Sequence, residues 1–74
     1  MNMEYYERLR ELREDIDKSQ GAIAEALGIT QQQYSLYENG KRQLPIALLR
    51  KLCLLYGVSA DYILGLPKHL NWPR

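Results

Sequence analysis

Apolar residues recur along this chain at three- and four-residue spacing in separate blocks, and nowhere in the two-residue rhythm of a half-buried strand. In the first block Leu9, Leu12 and Ile16 form one stripe with Tyr5 or Tyr6 ahead of them. That stripe predicts a helix between Met3 and Asp17, with Glu7, Arg8, Arg10, Glu11 and Glu14 as its solvated face. Glu7–Glu11 and Glu11–Asp15 are like-charge pairs four residues apart, so this helix must draw on packing for its stability.

The stretch from Ser19 to Gly40, SQGAIAEALGITQQQYSLYENG, predicts two short helices around a tight turn. Ser19 is an N-cap, since its hydroxyl can accept an otherwise unpaired N–H of the first turn. Ile23, Ala24 and Leu27 share a face, and Gly28 lies just past them, where a left-handed C-cap needs no side chain. Ile29 has a buried character and Thr30 is the next N-cap. Tyr34 and Tyr37 share the inner face of the following helix, which Asn39-Gly40 closes. Two short helices joined by a turn of about three residues that contains Gly make a helix-turn-helix unit.

Beyond Gly40 comes a basic turn, Lys41-Arg42-Gln43, and Pro45 is expected in the first turn of a fourth helix. Leu48, Leu49, Leu52, Cys53, Leu55 and Tyr56 give that helix a broad apolar surface, with Arg50 and Lys51 as its charges, which predicts the central helix of the core. Gly57 ends it. Ser59 caps a short fifth helix through Leu64, and Gly65 stops that one. The expected architecture is an all-α, compact five-helix domain over residues 1–66, followed by an irregular tail over residues 67–74.

A chain of 74 residues holds one domain, and at this size it buries only about 60% of its unfolded surface, so the core has to be continuous. No apolar run approaches the roughly 20 residues of a membrane span, and the N-terminus lacks the basic-then-apolar layout of a secretory signal. Cys53 is the single cysteine, which excludes a disulfide framework. A cytoplasmic location is expected. Charge is uneven: residues 1–17 hold six acids and three bases, residues 18–74 seven bases and three acids. The positive potential therefore falls on the part that carries the helix-turn-helix.

Catalytic chemistry finds no support. His69 stands alone in the tail, and Cys53 belongs to an apolar helix face, where thiols are inert. No Gly-rich phosphate loop, paired-carboxylate site or metal-ligand spacing occurs, so neither an enzyme nor a cofactor is expected.

Ser19-Gln20, Ala24-Glu25-x-Leu27-Gly28-Ile29-Thr30, Tyr37-Glu38-Asn39-Gly40-Lys41-Arg42, Pro45 and Val58-Ser59-x-Asp61-Tyr62-Ile63-Leu64-Gly65 follow in an order and spacing that resembles the Xre family, the phage-repressor-like (lambda-repressor-like) helix-turn-helix proteins. The resemblance runs from Leu9 to Leu66. It implies that the helix opening at Gln31 is a recognition helix, whose N-terminal side chains meet base edges in the major groove. Gln31, Gln32 and Leu36 match the base-reading positions; Gln33 is open between base and phosphate. Glutamine can pair with adenine through N6 and N7. Leu36 departs from the polar residue usual in the family, leaving contact with a thymine methyl. Gly21 also departs, replacing a charged residue.

The same resemblance assigns phosphate contacts to Gln20 at a helix N-terminus, to Lys41 and Arg42, and to the backbone N–H groups of Asn39 or Gly40, with Lys18 and Ser19 as further candidates. It also pairs Arg13 with Glu38 as a structural tie between the first and third helices. The implied function is a transcriptional regulator, a repressor that binds a palindromic double-stranded DNA operator as a homodimer. Ile63, Leu66, Leu70 and Trp72 are the expected interface. The alternative is an antitoxin or anti-regulator whose main role is to hold a partner protein.

Overall fold

The computed structural model describes residues 3–67, and within them five helices and no strand. They are α1 (Tyr5–Asp15), α2 (Gln20–Leu27), α3 (Gln31–Glu38), α4 (Ile46–Tyr56) and α5 (Ala60–Leu64). Leu70, Trp72 and His69 lie outside the described residues.

Local bonds set most of the boundaries. Ser19 Oγ accepts the Ala22 N–H at 3.0 Å, and Ser59 Oγ accepts the Tyr62 N–H at 3.2 Å. At α3 the exchange is reciprocal: Thr30 Oγ1 accepts from Gln33 N, and Gln33 Oε1 accepts from Thr30 N, both at 3.1 Å. Gly28, Gly57 and Gly65 end their helices in the left-handed conformation.

α1 is shorter than its stripe predicts. Glu4, whose N–H donates to the Glu7 carboxylate at 2.9 Å, precedes the first helical residue. At the other end Asp17 takes a φ of 55°, and the N–H groups of Ile16 and Lys18 both return to the Arg13 carbonyl. This reversal aims the chain at α2 and leaves Ile16 exposed, outside the helical stripe.

Pro45 is also displaced from its expected place. With φ −65° and ψ 149° it is the extended residue before α4, and its carbonyl accepts the N–H groups of Leu48 and Leu49. The proline φ suits a helix and an extended cap equally, and the Leu44 N–H, bonded to the Tyr5 hydroxyl at 3.2 Å, holds the approach.

The core draws on every helix: Leu9, Ile23, Ala24, Leu27, Tyr34, Leu52 and Ile63 are all buried. It is not centred on α4, which contributes Leu52 alone in full. Leu48, Leu49, Cys53 and Tyr56 border the core, while Leu55 is 42% exposed. The apolar surface of α4 is wider than its neighbours can cover. Burial pushes the Cys53 thiol up from its ordinary value, which suits an unreactive filler. Ile63 is 0% exposed and so cannot serve an intersubunit contact; it packs inward with Leu9 and Leu52. The Arg8 guanidinium, 5.3 Å from the centre of the Tyr62 ring, helps fasten α5 to α1.

Two positions on one helix test this division. Leu52→Ala should cost about 2–5 kcal/mol in urea unfolding, whereas Leu55→Ala should cost less than about 1 kcal/mol. Equal losses would place α4 at the centre of the core after all.

Candidate nucleic-acid interface

Glu38, the last residue of α3, is completely buried. Arg13 meets it with two bonds, Nε to Oε2 at 2.9 Å and Nη2 to Oε1 at 2.8 Å. Gln20 adds its Nε2 to Oε1 at 3.1 Å, and Arg10 Nε approaches the same oxygen at 3.7 Å. One carboxylate thus joins α1, α2 and α3. Burial alone would raise its pKa, but the bonds from Arg13 and Gln20 and the nearby Tyr34 hydroxyl together hold it below the ordinary value of 4.5. Its hydrogen bond to Glu38 likewise holds Arg13 above the usual value.

With Tyr34, Tyr37 and Glu38 turned inward, α3 presents Gln31 and Gln32 exposed at its start, and Ser35 and Leu36 half-buried one turn later. Gln33 is exposed, but its Oε1 is taken by the helix cap, so its Nε2 is the group left to meet a partner. Gln31 lies across the start of α2: a Cβ built on Gly21 would stand 3.4 Å from Gln31 Oε1. Gln20 keeps one amide hydrogen free after its bond to Glu38. Ser19 is occupied as a cap acceptor, and the Lys18 carbonyl accepts Arg13 Nη1 at 2.9 Å, leaving the exposed Lys18 side chain free of that contact.

The turn after α3 satisfies its own backbone. Asn39 N donates to Ser35 O, Gly40 N to Tyr37 O, and Lys41 N and Arg42 N both to Leu36 O. The N–H groups of Asn39 and Gly40 are therefore already engaged, and charge at this turn rests on the exposed Lys41 and Arg42 side chains. Gly40 has a φ of 73°, and a Cβ there would lie 2.7–2.9 Å from the Tyr6 ring, which seats the turn on α1. Among the described residues no cluster of three or more His, Cys, Asp or Glu could hold a metal, and no described helix is long and apolar enough to cross a membrane.

This two-helix frame, with its capped turn and outward polar row, has a counterpart in known proteins: residues 9–63 match the helix-turn-helix family. The chain belongs to that family, among its lambda-repressor-like members. Over 62 residues it is 42% identical to the uncharacterized HTH-type transcriptional regulator YobD of Bacillus subtilis, covering 84% of this chain and 55% of that protein. Over 58 residues it is 43% identical to the SPbeta prophage-derived uncharacterized HTH-type transcriptional regulator YonR of the same organism, covering 78% of this chain and 54% of the relative. The chain spans about half the length of these curated relatives.

Periodicity missed several residues that shape this helix-turn-helix surface. Arg10, read as solvated, donates through Nη2 to Asn39 Oδ1 at 3.0 Å across 29 positions of sequence. Tyr5 and Tyr6, stacked edge to face at 5.5 Å, hold Leu44 and Gly40 respectively. Ser35 accepts the Asn39 Nδ2 at 3.0 Å. Only contacts distant in sequence single out the first three.

Two measurements follow. Glu38 has a depressed pKa in the folded state, so its contribution to stability is complete above about 4.5 and is lost as pH falls from there through the folded value. Glu38→Gln should cost about 3 kcal/mol at neutral pH, and its deficit in Tm relative to wild type should shrink below pH 4.5. A deficit independent of pH would mean that the charge is not what holds the helices. The glycines should respond oppositely. Gly21→Ala, whose methyl fits at van der Waals distance in a helix, should gain about 0.5–1 kcal/mol, while Gly40→Ala should lose more than about 1 kcal/mol, both read by thermal unfolding.

Proposed function

We propose that this helix-turn-helix protein is a sequence-specific regulator of transcription that binds double-stranded DNA as a homodimer and represses by occupying its operator. The observation that carries this reading is the outward row of Gln31 and Gln32 at the start of α3, a helix whose inner face is locked by the buried Glu38. Side chains at that end of a recognition helix reach base edges in the major groove, and Leu36, one turn on, is suited to a thymine methyl. Gln20, Lys18, Ser19, Lys41 and Arg42 flank the row and are suited to the phosphates on either side, with Gln33 joining them through Nε2. The names of the two Bacillus relatives, both HTH-type transcriptional regulators, agree with this reading.

Dimerisation follows from information content. One small module reads only a few base pairs, and two-fold symmetry on a palindrome supplies the rest. Since Ile63 is committed to the core, the surface proposed for the second copy is the exposed apolar side chains of α4 and α5, Ile46, Leu54 and Leu64, with Leu66 just beyond α5. A partner protein would use exposed apolar side chains of the same kind, which keeps the antitoxin or anti-regulator reading as the rival.

Selection from a random DNA pool separates the two. The proposal predicts a palindromic consensus with half-sites about 10 base pairs apart. Gln31→Ala and Gln32→Ala should each relax one base position by roughly 1–3 kcal/mol, and Lys41→Ala should lower the salt slope by about 1 without changing the consensus. No consensus, with a monomer by sedimentation both free and on DNA, would end the proposal.

A further inference from the structure

Ser35 sits one helical turn beyond Gln31, on the face of α3 that carries the outward row. A serine inside a helix can turn its hydroxyl hydrogen back to the carbonyl four residues earlier or point it to solvent. Here Ser35 Oγ instead accepts a hydrogen bond, from Asn39 Nδ2 at 3.0 Å, and donates none among the described residues. The polarity of that bond is dictated from α1. Arg10 has only donors, so the Asn39 atom it meets at 3.0 Å must be Oδ1. This turns Nδ2 toward Ser35 and obliges the serine oxygen to accept. The hydroxyl hydrogen is left free, at the half-buried edge of the recognition surface.

We infer that Ser35 is a hydrogen-bond donor to the DNA, aimed at an acceptor oxygen or nitrogen of the duplex, with its polarity set by the Arg10–Asn39 relay. This rests on the DNA-binding reading above and adds to it a contact of defined sign. A donor so placed favours a base acceptor in the groove or a phosphate oxygen at its wall and disfavours a base amino group. Asn39 acts as a positioning residue: its Oδ1 and one of its two amide hydrogens are engaged within the protein, and it acts on the DNA through Ser35.

The experiment uses the duplex that wild-type protein selects from a random pool, together with all its single-base-pair variants and a non-specific duplex. Affinities and Tm values are measured for Ser35→Ala, Ser35→Thr, Asn39→Asp and the Asn39→Asp/Ser35→Ala pair. Ser35→Ala should fold with an unchanged or higher Tm and bind the selected duplex about three- to tenfold more weakly, and Ser35→Thr should restore the binding. If the acceptor is a base, the loss vanishes on duplexes altered at one base pair; if it is a phosphate, the loss is the same on every duplex.

Asn39→Asp presents a carboxylate that accepts from both Arg10 and Ser35, which turns the serine hydrogen inward. In that background Ser35→Ala should therefore cause no further loss, an outcome that a merely structural serine would not produce. Wild-type affinity for Ser35→Ala on every duplex, or an undiminished loss in the Asn39→Asp background, would overturn the inference while leaving the regulator reading in place. A wild-type protein that selects no sequence would remove both.

Discussion

A carboxylate with no exposed surface stands where α1, α2 and α3 meet, and the posture of α3 depends on it. Removing Glu38 from water costs several kcal/mol, and only close, well-directed donors offset that. Arg13 provides two such bonds and Gln20 a third. The two donating residues come from different helices, α1 and α2, so the carboxylate is satisfied only when all three helices are in place. The result is specificity of assembly more than net stability: α3 cannot slide or rotate without stranding a buried charge.

Because the inner face of α3 is settled by Tyr34, Tyr37 and Glu38, its outer face carries little of the packing. Gln31, Gln32, Ser35 and Leu36 can be chosen for what they meet outside. Around them the scaffold is already ordered. Thr30 and Gln33 cap the helix reciprocally, Gly40 rests on the Tyr6 ring, and the N–H groups from Asn39 to Arg42 close the turn on itself. A surface ordered before contact loses less conformational freedom on binding, which favours affinity and fixes register. Under the proposed DNA-binding function, the long, exposed side chains of Lys18, Lys41 and Arg42 are left for the phosphates, where orientation matters least.

The sequence disclosed the elements that local bonds govern. Ser19, Thr30 and Ser59 act within three residues of themselves, and Gly28, Gly57 and Gly65 need only a left-handed backbone, so their helices could be placed from spacing alone. What spacing could not disclose depends on neighbours. The stripe ending at Ile16 gave no sign that Asp17 would reverse the chain, and the φ of Pro45 fits two different roles. The width of the apolar surface on α4 says nothing of how much of it α2 and α5 can cover, which is why Leu55 is exposed and Ile63 is in the core. The pairing of Arg13 with Glu38 came from family resemblance. The contacts of Arg10, Tyr5 and Tyr6 span too much sequence for either route.

The dependence of three helices on one carboxylate is tested most directly by native-state hydrogen exchange at neutral pH, comparing wild type with Glu38→Gln. The account predicts that protected amides of α1, α2 and α3 lose protection together and by the same free energy, since each helix supplies a partner to the same site. Loss confined to the last turn of α3, with α1 and α2 as protected as in wild type, would contradict it.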